Sequence, residues 1–144
     1  MKHILFVCTG NTCRSAMAAA ICNALIAEKK LDAIADSCGL FASCGDSACA
    51  TAVLALQELY HIDLSSHKTK PVSPQLVQQA DIIFVMTAQH AALLLSQYPD
   101  CAGKLQVAKP EIIDPYGSPL SAYKACAGAL YSSIEQLLSQ EGLQ

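Results

Sequence analysis

Two rhythms run through the chain: short unbroken apolar runs of strand length, and longer stretches in which apolar residues recur every three or four positions. Residues 4–7 are apolar and partly β-branched and predict a buried strand, which breaks at Thr9-Gly10-Asn11 directly before a helix-forming stretch that begins near Arg14. Residues 15–30, rich in Ala, Leu, Ile and Met, close on Glu28-Lys29-Lys30 and read as a first helix. Residues 33–38 form a short second strand ending at Ser37-Cys38-Gly39, and residues 40–46 read as loop. The 3.6-residue pattern of Ala48, Ala52, Leu56 and Leu59 predicts a helix over 47–60. A polar connection follows, punctuated by Pro71 and Pro74, with a short helix over 74–80 that carries proline in its first turn. Residues 81–86 are the second obvious buried strand, and Thr87 can cap a helix over 88–98 that Pro99 ends. Residues 105–108 suggest a marginal strand, residues 112–119 a turn-rich loop, and residues 120–139 a long last helix.

Strands that alternate with helices pair in parallel through right-handed crossovers, so the pattern predicts a three-layer α/β fold. Ligands in such sheets bind beyond the carboxyl ends of the strands, where Cys8, Ser37 and Thr87 all fall. No repeat, low-complexity segment or second domain interrupts the pattern, and residues 1–144 read as one domain. Composition narrows the class: 53% hydrophobic and 15% charged residues suit an ordered core. A net charge of −3 without any basic run argues against nucleic acid as a partner. The amino-terminal apolar run is too short for a secretory segment, and no run approaches membrane-spanning length. The eight cysteines, with no Cys-x-x-Cys pair and no Cys/His cluster at zinc spacing, read as reduced thiols. A cytoplasmic monomer without metal or cofactor is expected.

The candidate chemistry gathers at the first strand–helix junction. Cys8 is followed by five residues and then Arg14-Ser15, so a thiol and a guanidinium flank a tight loop, with Gly10 in it, at a helix N-terminus. Unpaired backbone N–H groups and the positive helix end favour a bound phosphate there, and the planar Arg14 fork can chelate two of its oxygens. The same field favours the thiolate of Cys8, a nucleophile facing phosphorus. The Walker phosphate loop also sits at such a junction but ends in Gly-Lys-Ser/Thr, which is absent. Transfer of a phosphoryl group to a thiolate leaves an anion on the departing side, so a proton donor is needed opposite the cysteine. Asp114, in an apolar loop bounded by proline and glycine, is the best candidate, although an Asx turn before Pro115 explains it as well on local sequence. His67, after Ser65-Ser66, either supports the phosphate loop or is simply solvated, while His3, His61 and His90 read as surface residues. Cys8 and Cys13 bracket the loop, so Cys13 either resolves an oxidised Cys8 or packs beneath the loop.

Taken together, CTGNTCRS from Cys8, DSCG from Asp36, IDLSSH from Ile62 and DPYG from Asp114 resemble the low-molecular-weight protein tyrosine phosphatases over nearly the full chain. That resemblance implies a flavodoxin-like, twisted, parallel four-stranded sheet flanked by helices, and no metal. It implies Cys8 as nucleophile, Arg14 as phosphate clamp and Asp114 as general acid and then base. Thr9, Gly10, Asn11, Thr12, Cys13, Ser15 and Tyr116 would contact the substrate, with Ser37 and His67 supporting the loop. Ala16 and Ala19 stand where the family often has Pro and Glu, and neither carries a catalytic group. Thr12 stands where tyrosine-directed members usually carry Ile or Leu, and it is similar to the protein arginine phosphatases within the family, as are CGLFAS at residues 38–43 and VMTAQH at residues 85–90. The resemblance therefore implies a phosphatase of phosphorylated proteins that prefers phosphoarginine, with phosphotyrosine as the alternative. Arsenate reductases share the fold but need further cysteines in mid-chain, and residues 50–100 contain none. A non-enzymatic phosphate-binding module would keep the loop without needing Asp114. The chain between Cys101 and Asp114 looks shorter than in those relatives, which implies a less enclosed acid loop.

Overall fold

In a computed structural model, which describes residues 1–143 and so leaves Gln144 of the expected domain outside the described residues, β1 (Lys2–Cys8) lies at the centre of a four-stranded sheet. It pairs in parallel with β2 (Ala33–Gly39) on one side and with β3 (Ile82–Val85) on the other, and β3 pairs in parallel with β4 (Leu105–Val107). The order β2-β1-β3-β4 is the flavodoxin-like one. Because side chains alternate across a strand, Ile4, Phe6 and Cys8 face one layer and Leu5 and Val7 the other. The first layer is built by α1 (Arg14–Lys29), α2 (Ala50–Tyr60) and α5 (Leu120–Gln140). The second is built by α3 (Pro74–Gln79), α4 (Ala88–Gln97) and a 3-10 helix, Pro99–Lys104. Burial on both faces explains why β1 and β3 read as unbroken apolar runs.

Local chemistry sets the helix ends. Ser73 and Thr87 each accept a backbone N–H from the first turn of the helix they precede, and Lys30 and His61 close α1 and α2 in the left-handed conformation. Most boundaries fall within one residue of expectation, and three departures are larger. Strand β1 starts at Lys2, because pairing with Ala33 continues past the apolar run. Helix α2 starts at Ala50 rather than at residue 47, because Ser47 bridges to Lys68 in extended form while Thr69 Oγ1 accepts the Asp46 N–H. The chain beyond Pro99 turns into a 3-10 helix. Among the described residues no helix is long and apolar enough to cross a membrane.

Candidate active site

The chain leaves β1 toward α1 and β2 on one side and toward β3 on the other, and this divergence opens a crevice at the carboxyl ends of β1 and β3. Residues 8–14 fill it as a loop. Their backbone and side chains, with Asp114 and Tyr116, line a cleft of about 230 Å³. Larger hollows of about 540 and 390 Å³ lie along the sheet, but neither is lined by a cysteine.

Cys8 is the last residue of β1 and is 3% exposed. The N-cap of α1, Cys13, makes no side-chain cap, so the first-turn donors stay available, and the Ser15 N–H reaches Cys8 Sγ at 3.4 Å. Ser15 Oγ lies 2.9 Å from the same sulfur and 3.3 Å from the Cys38 carbonyl. Asn11 Nδ2 already donates to Ser15 Oγ at 2.8 Å, so the single hydroxyl proton of Ser15 is free for one of those two acceptors. A thiolate at Cys8 would draw it as a charge-assisted hydrogen bond. The thiols of Cys22, Cys38 and Cys126 are each pushed up to about 12 by burial, which leaves them poor nucleophiles.

Asn11 is the hub of the loop. It is fully buried and takes a left-handed conformation (φ 61°) that asparagine tolerates better than most residues. Its Nδ2 also donates to Ser37 Oγ (2.9 Å), its Oδ1 accepts the Lys70 N–H (3.0 Å), and its carbonyl lies 2.7 Å from His67 Nε2. His67 is therefore no solvated side chain, and its N–H holds the loop backbone. Just past the end of β2, Leu40 and Phe41 donate N–H bonds to the carbonyls of Cys8 and Thr9, both at 2.9 Å. Such an approach requires Gly39, where a Cβ would stand 2.6 Å from the Thr9 oxygen and 3.0 Å from the Asn11 nitrogen.

Arg14 is 6% exposed, and its guanidinium is held at the cleft wall by one hydrogen bond and one ion pair. Nη1 donates to the Ile112 carbonyl at 3.0 Å, and Nη2 lies 3.7 Å from Asp114 Oδ2. Asp114 Oδ1 accepts the Tyr116 N–H at 3.0 Å, the Asx turn that the local sequence suggests, so the turn and the overhanging carboxyl coexist. Tyr116 is 75% and Ile113 84% exposed, which makes the acid-bearing loop open. Thr12 is half-buried and Gly10 lines the cleft, where an added Cβ would meet nothing nearer than Thr12 Oγ1 at 3.8 Å.

His90 corrects the expectation of a surface residue. It is 5% exposed, in the first turn of α4, and its Nε2 lies 2.9 Å from Thr9 Oγ1. Burial first, and then the Arg14 charge, push its imidazole down to about 4. Lys70 and Cys49 are the other neighbours not anticipated: Lys70 through its backbone bond to Asn11, Cys49 through its N–H to the Thr12 carbonyl at 3.1 Å. Each comes from a segment remote in sequence, and no local pattern marks them.

A buried cysteine and arginine flanking a loop at the switch point of a parallel sheet, with an aspartate lining the same cleft, are the arrangement that a thiol-based phosphate site requires. Residues 3–144 match the family described as low molecular weight phosphotyrosine protein phosphatase, and the chain belongs to that family. It is 35% identical over 144 residues to a protein-arginine-phosphatase of Bacillus subtilis (strain 168), covering 95% of each chain. Among solved structures it is similar to a low molecular weight protein tyrosine phosphatase from T. tengcongensis, with TM-score 0.94, 39% identity, and coverage of 97% of this chain and 99% of that one. It is also similar to an arginine phosphatase variant with a phosphorylated active-site serine in place of cysteine, with TM-score 0.91, 34% identity and coverage of 96% and 94%.

Proposed function

We propose that this phosphatase hydrolyses phosphoarginine in proteins through a phosphocysteine at Cys8. In this reading Cys8 Sγ attacks phosphorus, the P–N bond breaks, and the departing guanidine nitrogen takes a proton from Asp114. The carboxylate of Asp114 then removes a proton from water, which attacks phosphorus and returns the thiolate as phosphate leaves. Arg14 and the N–H groups of residues 9–15 carry the charge of the three equatorial oxygens in both steps. The carrying observation is the pairing of Cys8 Sγ with the Ser15 N–H and hydroxyl on one side of the cleft and Asp114 beside Arg14 on the other.

Thr12 supports the choice of leaving group. A phosphoguanidinium brings several N–H donors into the cleft, and leaving one unpaired there costs ~1–3 kcal/mol, about one to two decades of rate. Half-buried Thr12 offers a hydroxyl acceptor and less apolar cover than Ile. The relative from Bacillus subtilis named a protein-arginine-phosphatase supports the same reading. Phosphotyrosine is the second reading, supported by the family model that matches residues 3–144; the exposed ring of Tyr116 at the cleft wall suits either planar group by stacking and does not discriminate. We further read the protein as a cytoplasmic monomer acting on phosphoproteins and not on nucleic acid; its eight free thiols support the compartment and its net charge of −3 the lack of a nucleic-acid partner. The test is kcat/KM of wild type and Thr12→Ile on phosphoarginine and phosphotyrosine peptides. The arginine-to-tyrosine ratio should fall at least tenfold in the variant, and an unchanged ratio returns the chain to the tyrosine-directed reading.

A further inference from the structure

The thiol of Cys13 has a partner that lies 36 residues away: Cys49 Sγ stands 3.2 Å from Cys13 Sγ. The two residues are the N-caps of α1 and α2, and neither side chain caps its helix, so both sulfurs sit where two helix N-termini converge. The Cys49 N–H binds the Thr12 carbonyl at 3.1 Å, which ties the start of α2 to the phosphate loop. Tyr123 Oη, from α5, lies 3.7 Å from Cys13 Sγ on the buried side. Cys13 is buried and Cys49 half-buried, so a reagent reaches the pair through Cys49.

We propose that Cys13 and Cys49 form a redox modification site separate from Cys8, a dithiol that a small disulfide of the oxidised low-molecular-weight thiol class converts to an intramolecular disulfide. In the first step the Cys49 thiolate attacks one sulfur of the small disulfide, forms a mixed disulfide and expels one small thiolate. In the second, Cys13, having lost its proton to that thiolate, attacks the Cys49 sulfur, forms the Cys13–Cys49 bond and expels the second small thiolate. Two protein thiols are oxidised and one disulfide is reduced to two thiols. The order follows from exposure, and from burial, which pushes the Cys13 thiol up to about 12 and leaves it unsuited to attack first.

Bond formation affects the loop. A disulfide needs sulfurs ~2.05 Å apart, so a pair at 3.2 Å must close by roughly an ångström. Thr12 and Cys13 line the cleft, and displacing reacting groups by about 1 Å can cost on the order of 10²-fold in rate. The disulfide form should therefore turn over at least tenfold more slowly while Cys8 stays a free thiol. That consequence rests on the phosphatase reading of the cleft; the cross-link itself does not.

The experiment treats the full chain with oxidised glutathione, alkylates the remaining thiols, and maps the peptides by mass spectrometry, with p-nitrophenyl phosphate turnover measured in parallel. Expected are a Cys13–Cys49 linked peptide with Cys8 alkylated, a turnover loss of at least tenfold, and recovery with dithiothreitol. Cys44→Ser should behave as wild type, because the exposed Cys44 takes no part in the proposed pair. Cys49→Ser, with Cys49→Ala as a second variant should the first misfold, should lose the link and keep its turnover after oxidant. A Cys8–Cys13 link, a link through Cys44, or a mixed disulfide at Cys49 that never closes would overturn the site. A Cys13–Cys49 link with unchanged turnover would overturn its effect on the loop, and a protein inactive before treatment but still forming the link would count against the phosphatase reading alone.

Discussion

At the scale of single residues, the proposed chemistry separates groups that would touch the reacting atoms from groups that hold them. Asp114 stands across from Cys8, beside Arg14, and Asp114→Asn should slow turnover of poorly activated phosphates far more than that of p-nitrophenyl phosphate, whose leaving group needs no proton. Equal losses on both substrates would remove it from the acid role. His90 acts at one remove. Among the described residues its Nδ1 has no partner, and a bare lone pair is better tolerated in burial than an orphaned N–H, so Nε2–H donates to Thr9 Oγ1. Protonation would bury a charge and leave an unpaired N–H beside Arg14, so burial first and then the Arg14 charge hold the imidazole down to about 4 in the folded chain, against 6.5 in the unfolded one. The unfolded chain then binds the extra proton first. Stability from this group is complete above pH 6.5 and drains as pH falls toward 4, about 2 kcal/mol between pH 7 and pH 5. His90→Asn should flatten that limb, as read from urea midpoints across the pH range; a limb of unchanged slope would assign the loss to other groups.

At the scale of elements, the phosphate loop is shaped as much by β2 as by its own residues. Two glycines near the cleft differ sharply. A Cβ at Gly39 meets the Thr9 carbonyl at 2.6 Å and Ala42 Cβ at 2.8 Å, whereas one at Gly10 meets nothing nearer than 3.8 Å. Gly39→Ala should cost ~1–3 kcal/mol of stability by forcing the strand and loop apart, and Gly10→Ala less than ~0.5 kcal/mol, in urea unfolding of the unliganded protein. Comparable losses at both would mean that the loop tolerates displacement. The same contrast marks how much was legible in the sequence. Strands β1 and β3 and helices α4 and α5 could be read because unbroken apolar runs and caps such as Thr87 are local signals. That Cys8, Arg14 and Ser15 come together could be read because one strand–loop–helix unit carries all three. His90 could not, since its contact with Thr9 spans 81 residues and nothing in VMTAQH distinguishes a buried imidazole from an exposed one. The loop-side contacts of Lys70 and Cys49 span 59 and 36 residues and depend on where the chain returns after α1 and β2. The start of α2 departs from its periodic pattern for the same reason, because Ser47 gives up a helical conformation for pairing with Lys68.

At the scale of the whole molecule, the site joins elements from both sides of the sheet. The loop from β1 is tied by Ser15 and Asn11 to β2 through Ser37 and Cys38, by His67 and Lys70 to the connection before α3, by Thr9 to α4 through His90, and by Arg14 to the acid-bearing loop through Ile112. On the proposed function, an oxyanion bound in the loop would therefore stabilise contacts from both layers at once, and it would bind the folded chain alone, because the unfolded one has no such loop. Such a ligand stabilises by RT ln(1 + [L]/Kd), about 2.7 kcal/mol at a hundred times Kd. For a chain of 144 residues this corresponds to a rise in Tm of roughly 5–10 °C. Orthophosphate, compared with chloride at equal ionic strength, should produce that rise in wild type and also in Cys8→Ser, where the oxyanion donors remain although the nucleophile is gone. Asn11→Ala should unfold at lower temperature without ligand and gain less from phosphate, since it removes the bonds to Ser15, Ser37 and Lys70 that set the loop geometry. A rise of the same size in Asn11→Ala would show that phosphate is held by Arg14 and charge alone, and that the backbone cradle contributes little.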